Sequence, residues 1–507
     1  MSSSQPFQKI GVVGAGSMGS EMAMLFAENG LTVSSFDVAH SNIDNLLEMI
    51  KTKVNSDEVR SRISGYKDYD SFIKSLGGVK ARKLFVFSVK HGEPSDQVLE
   101  AMTEYLHEGD VILDGGNEWY RNTERRQKAL APKGVYYIGM GVSGGYQSAR
   151  RGPSMSPGGD KTILKEILPL LERFAAKDQK TGSPCVTIIG PRGSGHYVKM
   201  VHNGIEQGML GILSEAWEFL YKCLHIPLDD ISNIFREWSD HGELKRNFLV
   251  EIGADICAQP DPSGSASHLL NKIQDKVVQD ADSTEGTGYW CIMESAERHV
   301  SAPTIAAAHF FRVASANRAS RLKVVEALGQ DMGAARKQSQ LTDTEKKEHV
   351  EDLRQAVYAA FLASFVQGLN LIARASRDEG WGVDLGRCIK IWREGCIIRS
   401  EYVADLLQPL LEKREVMNVL ALEDVAKEVK RTIPALSRVV QRGLEFNTHI
   451  PTLSASLEYY KYCAGLHLPT QFMEAQLDYF GAHSFDLKEE GAGEVKKGKH
   501  HFEWKPA

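Results

Sequence analysis

Paired cysteines, excess positive charge and long apolar runs are all missing from this 507-residue chain. Its seven cysteines (Cys185, Cys223, Cys257, Cys291, Cys388, Cys396 and Cys463) form no CxxC or CxxH pair. That spacing excludes a zinc ribbon and offers no disulfide framework, so no metal site is expected and reduced thiols in a cytoplasmic protein are. Lys and Arg number 60 against 66 Asp and Glu, a net charge of -6, so neither nucleic acid nor an anionic membrane is an expected partner. No run approaches the length of a membrane span. The N-terminus is Ser-rich and enters a strand directly, without the basic and apolar segments of a secretory signal. At 42% hydrophobic and 25% charged, the composition is ordinary for a soluble chain of two or more domains.

What is present begins with Lys9-Ile10-Gly11-Val12-Val13, an apolar run leading into Gly14-Ala15-Gly16-Ser17-Met18-Gly19 and a helical pattern from Glu21 to Asn29. Strand, glycine turn and helix in that order make a dinucleotide cradle. The glycines permit a tight turn and close approach to a pyrophosphate, and the helix N-terminus favours its charge. A second strand, 31 to 36, ends at Asp37, placed to bond the adenosine ribose hydroxyls. Asp37 repels a 2'-phosphate, and Val38 and Ala39 supply no cation, so NAD is favoured over NADP. Further strands are expected at 83–88, 110–114, 134–139 and 185–189, an α/β pattern with a parallel sheet. Lys90 and His91 follow the third of the strands expected up to that point, at its carboxyl end, where cofactors lie in such sheets.

Beyond Gly190 long helical patterns take over. In Gly195 to Gly208, Val198, Val201, Ile205, Met209 and Ile212 form one apolar stripe, while Lys199, His202, Asn203 and Glu206 lie at i, i+3, i+4 and i+7 on a second. An amine, an imidazole, an amide and a carboxylate on one face are suited to moving protons at neutral pH. The His202-Asn203-Gly204 run has poor helix propensity, which a merely solvated face would not select. About seven helical turns run from Glu351 to Arg377, and Gln330 to His349 reads as a polar loop. Ile205-Glu-Gln207-Gly208 resembles Phe365-Val-Gln367-Gly368, a faint sign of duplication. Three divisions are expected: a Rossmann-like doubly wound α/β domain at 1–190, a large all-α domain at 191–465, and a tail at 466–507 ending in a solvated basic stretch.

The stretches Asp114-Gly-Gly-Asn117, Gly141-Val-Ser143-Gly144-Gly145, Gly195 to Glu206, Gly286-Thr287-Gly288, Gly395 to Ser400 and Asp478 to His483 resemble the decarboxylating 6-phosphogluconate dehydrogenases of the pentose phosphate pathway. The resemblance runs nearly end to end. It implies Lys199 as base and Glu206 as acid, with Asn117 between nicotinamide and substrate. Ser143, Gly144, Gly145, His202, Asn203, Thr287, Arg312 and, from a partner's tail, His483 would hold a sugar acid in a homodimer. Gly14, Gly16, Ser17, Met18, Gly19, Asp37, Val89, Lys90 and Asn117 would hold the cofactor.

Departures concern phosphates. The family's NADP enzymes carry Asn-Arg-Thr where this chain has Asp37-Val38-Ala39, so NADP, the family's usual cofactor, is the alternative to NAD. Gln207, Glu285 and Leu477 stand where the family places a tyrosine, a lysine and a tail arginine around the substrate phosphate. Three readings follow: a 6-phosphogluconate dehydrogenase, an NAD-dependent dehydrogenase of a non-phosphorylated aldonate on which 6-phosphogluconate is a poor substrate, and a dinucleotide-binding protein without turnover.

Overall fold

Strand β1 (Lys9–Val13) is apolar and buried at four of five positions, and it runs into helix α1 (Ser17–Glu28) through the glycine turn. The helix starts four residues earlier than the apolar pattern suggests, because Gly16 occupies its N-cap position. In this computed structural model, which describes residues 7–78, 81–264, 267–279, 286–334, 336, 341–493 and 495–505, six more strands follow. They are β2 (Thr32–Phe36), β3 (Ile63–Tyr66), β4 (Leu84–Phe87), β5 (Val111–Asp114), β6 (Tyr136–Ser143) and β7 (Ser154–Gly158), with helices α2 (Tyr120–Leu130) and α3 (Gly145–Arg151) around β6.

The sheet order is β3-β2-β1-β4-β5-β6-β7. Order reverses between β1 and β4, the position at which doubly wound sheets bind ligands beyond their carboxyl ends. Strands β4 and β5 are buried at every residue, as a sheet covered on both faces requires. Two expectations are corrected. The sheet is not wholly parallel, since β7 runs antiparallel to β6. Residues 185–189 form no strand; they lie extended beside β7, bonded at Met155 N to Cys185 O and Ile189 N to Pro157 O. An edge position is where Pro157 is tolerated, because its missing N–H leaves no central ladder incomplete.

The helical part opens with α4 (Ser194–Glu218), which packs directly on the backbones of β6 and β7. A Cβ on Gly195 would run into the carbonyl oxygens of Gly139 and Ser156, and one on Gly141 into the Lys199 side chain. Glycine is therefore needed on both sides of this seam for the close approach. Around α4 lie α5 (Thr287–Glu297), α6 (Pro303–Ala316) and α7 (Asp343–Glu379).

Helix α7 corrects the loop expected at 330–349. A capping box of Thr342 and Glu345 starts the helix at Asp343, and Gly380, at φ +66°, ends it. Residues 335 and 337–340 of that expected loop lie outside the described residues. By length and composition α7 is apolar enough to cross a bilayer, which also corrects the expectation of no such run, yet 94% of its most apolar window is buried inside the protein. It is a core helix. The two segments that resemble one another meet where α4 crosses α7: Gly208 faces Ser364, and Gly368 faces Ile205.

Two compact units divide the chain, Met1–Leu457 and Glu458–Ala507, with helix α8 (Pro451–Cys463) running from one into the other. The second unit holds α9 (Thr470–Gly481); in the basic stretch Lys496, Lys497, Lys499 and His501 are exposed, while the backbone around it is tied down. His500 pairs with Phe485 by two backbone bonds of 2.8 and 2.9 Å, and Asp478 of α9 accepts from His501, Phe502 and Trp504.

Candidate active site

The cofactor cradle follows from three glycines with different surroundings. Gly14, at φ +96°, turns the chain where any Cβ would meet the Ser88 carbonyl, and Gly19 has no room against Gly14. Gly16 faces open space, with nothing within 4 Å of a Cβ position, at the start of α1, where the first N–H groups of a helix lack intrahelical partners. This fits a dinucleotide pyrophosphate. Ser17 is exposed and Met18 half-buried on that first turn. Asp37 is 8% exposed, and its carboxylate accepts from Ala15 N at 2.7 Å, Ala39 N at 2.8 Å and Asn42 Nδ2 at 3.0 Å. Val38 beside it is exposed.

At the ends of β4 and β5 two loops are fastened to each other. Exposed Lys90 and half-buried Val89 sit in the first, Asn117 in the second, and the Val89 carbonyl lies against Gly116. Glu118 accepts from Gly92 N at 2.9 Å, while Arg126 donates to Gly92 O at 2.9 Å and to Glu118 at 2.6 Å. Both charged side chains are 1% exposed. Burial works to raise the Glu118 carboxyl, but Arg126, Asn122 and the Gly92 N–H outweigh it and hold it below the usual range. Removing one partner of such a buried pair costs about 3–5 kcal/mol, so the pair holds the loops in one arrangement.

His196 ties the Asn117 loop to α4. Its Nε2 lies 3.0 Å from the Asp114 carbonyl, which only accepts, so Nε2 carries the proton and Nδ1 accepts from the Thr123 hydroxyl at 2.6 Å. Sequence reasoning missed the roles of His196, Thr123, Glu118 and Arg126. His196 stood in view within the Gly195 to Glu206 motif; the other three carry no spacing signal, being joined only by the fold.

The polar face of α4 is assembled as the helical spacing implies. Lys199 is 6% exposed and donates from Nζ to Ser143 Oγ at 3.0 Å and to Asn203 Oδ1 at 2.9 Å. Asn203 Nδ2 donates to Thr287 Oγ1 at 2.9 Å, which brings in the first residue of α5. His202 Nδ1 is 2.9 Å from Asn203 Oδ1 and 3.8 Å from Glu206. Gly144 and Gly145, at φ +102° and +67°, turn the chain from Ser143 into α3. Arg312 is half-buried on α6.

Gln207 is buried against Gly288, and its Oε1 lies 3.1 Å from His309 Nδ1 on α6. Leu477 and the exposed His483 belong to the second compact unit, and Glu285 lies outside the described residues.

Comparison with known proteins agrees with this geometry. The family profile for the NAD binding domain of 6-phosphogluconate dehydrogenase matches residues 9–190, and that for its C-terminal domain matches residues 195–504. The chain belongs to the 6-phosphogluconate dehydrogenase family. It is 51% identical to the decarboxylating 6-phosphogluconate dehydrogenase of Emericella nidulans over 97% of this chain and 100% of that one. Against 6-phosphogluconate dehydrogenase, decarboxylating 2, of Arabidopsis thaliana identity is 38% over 98% of this chain and 97% of the other. A solved Plasmodium falciparum 6-phosphogluconate dehydrogenase, described apo, with its cofactor NADP+ and with its substrate 6-phosphogluconate, superposes with TM-score 0.84 at 30% identity. The match covers 98% of this chain and all of that one. In the family setting, the first unit of this chain gathers Lys199, Ser143, Asn203, His202, Glu206 and Thr287 into one site.

His202 is the site's neutral member. It is wholly buried, and burial first, then the Lys199 charge, pushes its imidazole well below the ordinary 6.5. Its contribution to stability is therefore complete above pH 6.5 and is lost as pH falls through the depressed value. In histidine-labelled NMR, the ring signal missing from His202→Asn should not move between about pH 6 and 8. A signal titrating with a midpoint near the ordinary value contradicts this.

Proposed function

We propose that this chain oxidises and decarboxylates 6-phosphogluconate with NAD, as a cytoplasmic homodimer. The observation that carries the reading is Lys199 Nζ held by Ser143 and Asn203, with Glu206 two turns along the same helix. Bound nicotinamide would supply the acceptor for hydride from the substrate carbon. The residues do the rest. In its neutral form Lys199 takes the proton of the hydroxyl β to the carboxylate on its lone pair. The β-keto acid so formed releases CO2, because the ketone accepts the electron pair of the breaking bond. Protonated Lys199 donates to that oxygen, and Glu206 delivers a proton to the enol carbon.

Full-length identity to decarboxylating 6-phosphogluconate dehydrogenases favours this reading over the aldonate and non-catalytic ones. The dimer is supported within the second unit by Phe472, Met473 and Phe480, which are 57–72% exposed on α9 and suit burial by a second copy. In that dimer His483 of one copy would serve the substrate of the other. Cytoplasmic residence is supported by seven unpaired cysteines.

Lys199→Ala should lower kcat at least about 100-fold, as for a lost general base, while NAD affinity stays within about two-fold. A variant with near-wild-type turnover of 6-phosphogluconate removes Lys199 from the mechanism. The cofactor preference rests on Asp37, a fixed anion at the end of β2. Wild type should show the higher kcat/KM with NAD, and Asp37→Ala with Val38→Arg should shift the preference towards NADP by about ten-fold or more. A wild type that prefers NADP refutes it.

A further inference from the structure

His483 is presented by an unusual piece of backbone. The residues on either side of it, Ala482 at φ +48° and Ser484 at φ +69°, are both left-handed and neither is glycine. Non-glycine residues hold that conformation only where their surroundings determine it. Here both are bonded to one residue, Ala482 as the C-cap of α9 to the Asp478 backbone and Ser484 to the Asp478 side chain. Asp478 is 0% exposed in a small unit whose other polar groups are mostly exposed. Its Oδ1 accepts from Ser484 N and His501 Nδ1, each at 2.9 Å, and its Oδ2 from Phe502 N at 3.1 Å and Trp504 Nε1 at 2.9 Å. Its backbone carbonyl accepts Ala482 N at 2.9 Å.

The donors come from two places: one from the turn that bears His483, three from the far end of the chain. That end is brought back by the paired Phe485 and His500, and Gly498 passes so near Phe485 that a Cβ would strike its backbone. Trp504 then packs edge-on against Phe502 at 5.1 Å and near Tyr479 at 6.1 Å. The His483 ring lies over Gly481, where a Cβ would collide with it, and edge-on to Phe480 at 6.1 Å. A carboxylate saturated by four donors is a stronger organiser than any apolar contact this unit offers, because charge-assisted bonds are about twice as strong as neutral ones. In keeping with this, His501, Trp504 and the two N–H groups hold the Asp478 carboxyl far below the usual range against the opposing effect of burial.

We propose that Asp478 is a positioning residue for His483, and that residues 500–504 act through it, so that the end of the chain sets how the imidazole is offered to the substrate. This rests on the reading of His483 as a substrate-binding group. A purely structural role would have Asp478 stabilise the unit without reference to His483. The two differ in coupling: if Asp478 acts through His483, removing both costs no more than removing His483 alone.

The experiment is a double-mutant cycle on the full-length dimer, with wild-type turnover of 6-phosphogluconate established first. His483→Ala and Asp478→Asn should each raise KM for 6-phosphogluconate about ten-fold or more, with KM for NAD within about two-fold, and the double variant should match His483→Ala within about two-fold. Effects that multiply, a wild-type KM for Asp478→Asn, or a wild-type KM for His483→Ala overturns the proposal. If Asp478→Asn dissociates the dimer in sedimentation, the cycle is run with Trp504→Phe, which deletes one of the four donors and keeps a ring. Were wild type inactive on 6-phosphogluconate, the functional reading would fall. The coupling would still be read from the His483 ring resonance, which Asp478→Asn must shift and which an independent Asp478 would leave in place.

Discussion

The backbone of α4 lies against the backbones of β6 and β7, and the active site depends on that contact. Helices usually stand off a sheet by the thickness of their side chains. Here Gly195 on one side and Gly139, Gly141 and Gly158 on the other remove them, so the helix drops into the sheet. Ser156 Oγ bonds the Gly195 carbonyl at 3.0 Å across the seam. Lys199 then leaves the helix at the level of Ser143, the last residue of β6, and meets it at 3.0 Å. His196, three residues earlier on α4, reaches the end of β5 and the loop that bears Asn117. One contact thus sets the spacing between the Lys199 amine, Ser143 and the loop that bears Asn117.

Charge is distributed on that frame by burial and pairing. His202 is held well below its ordinary value chiefly by its complete burial, which leaves it to hydrogen-bond rather than to carry charge. Glu118 and Arg126 are buried and charged, and the N–H and the C=O of Gly92 are held between them. Asp37 is anionic at the other end of the cradle, held by three N–H donors. Asp37, Glu118 and Arg126 are therefore held by neighbours before any ligand arrives, the arrangement that lowers the cost of binding.

Much of this was legible in the residues because the relevant signals are local. The glycine turn, the Asp37 position and the four-residue face of α4 each lie within one element and its period. What escaped is long-range. Strand β7 is not among the expected strands, since Ser-Met-Ser-Pro-Gly has turn composition and only pairing with β6 makes it a strand. Residues 185–189 have strand composition but find only two bonds beside it. His196 with Thr123, and Asp478 with Trp504, are joined by tertiary contact across 73 and 26 residues. The capping box before α7 is a local signal, but the segment around it is polar and masks the helix start.

The seam itself is tested most directly by Gly141→Ala. The new methyl would press on the Cβ and Cγ of Lys199 and on Ser156, far from the dinucleotide cradle. Overpacking of this kind typically costs about 1–3 kcal/mol, which a chain of this size tolerates, so the protein should fold and bind NAD with affinity within about two-fold of wild type. Turnover should fall at least about ten-fold, because sub-ångström displacement of a catalytic group is enough for that. A Gly141→Ala protein with wild-type kcat would contradict the account, since Lys199 would then owe its position to something other than the contact between α4 and the sheet.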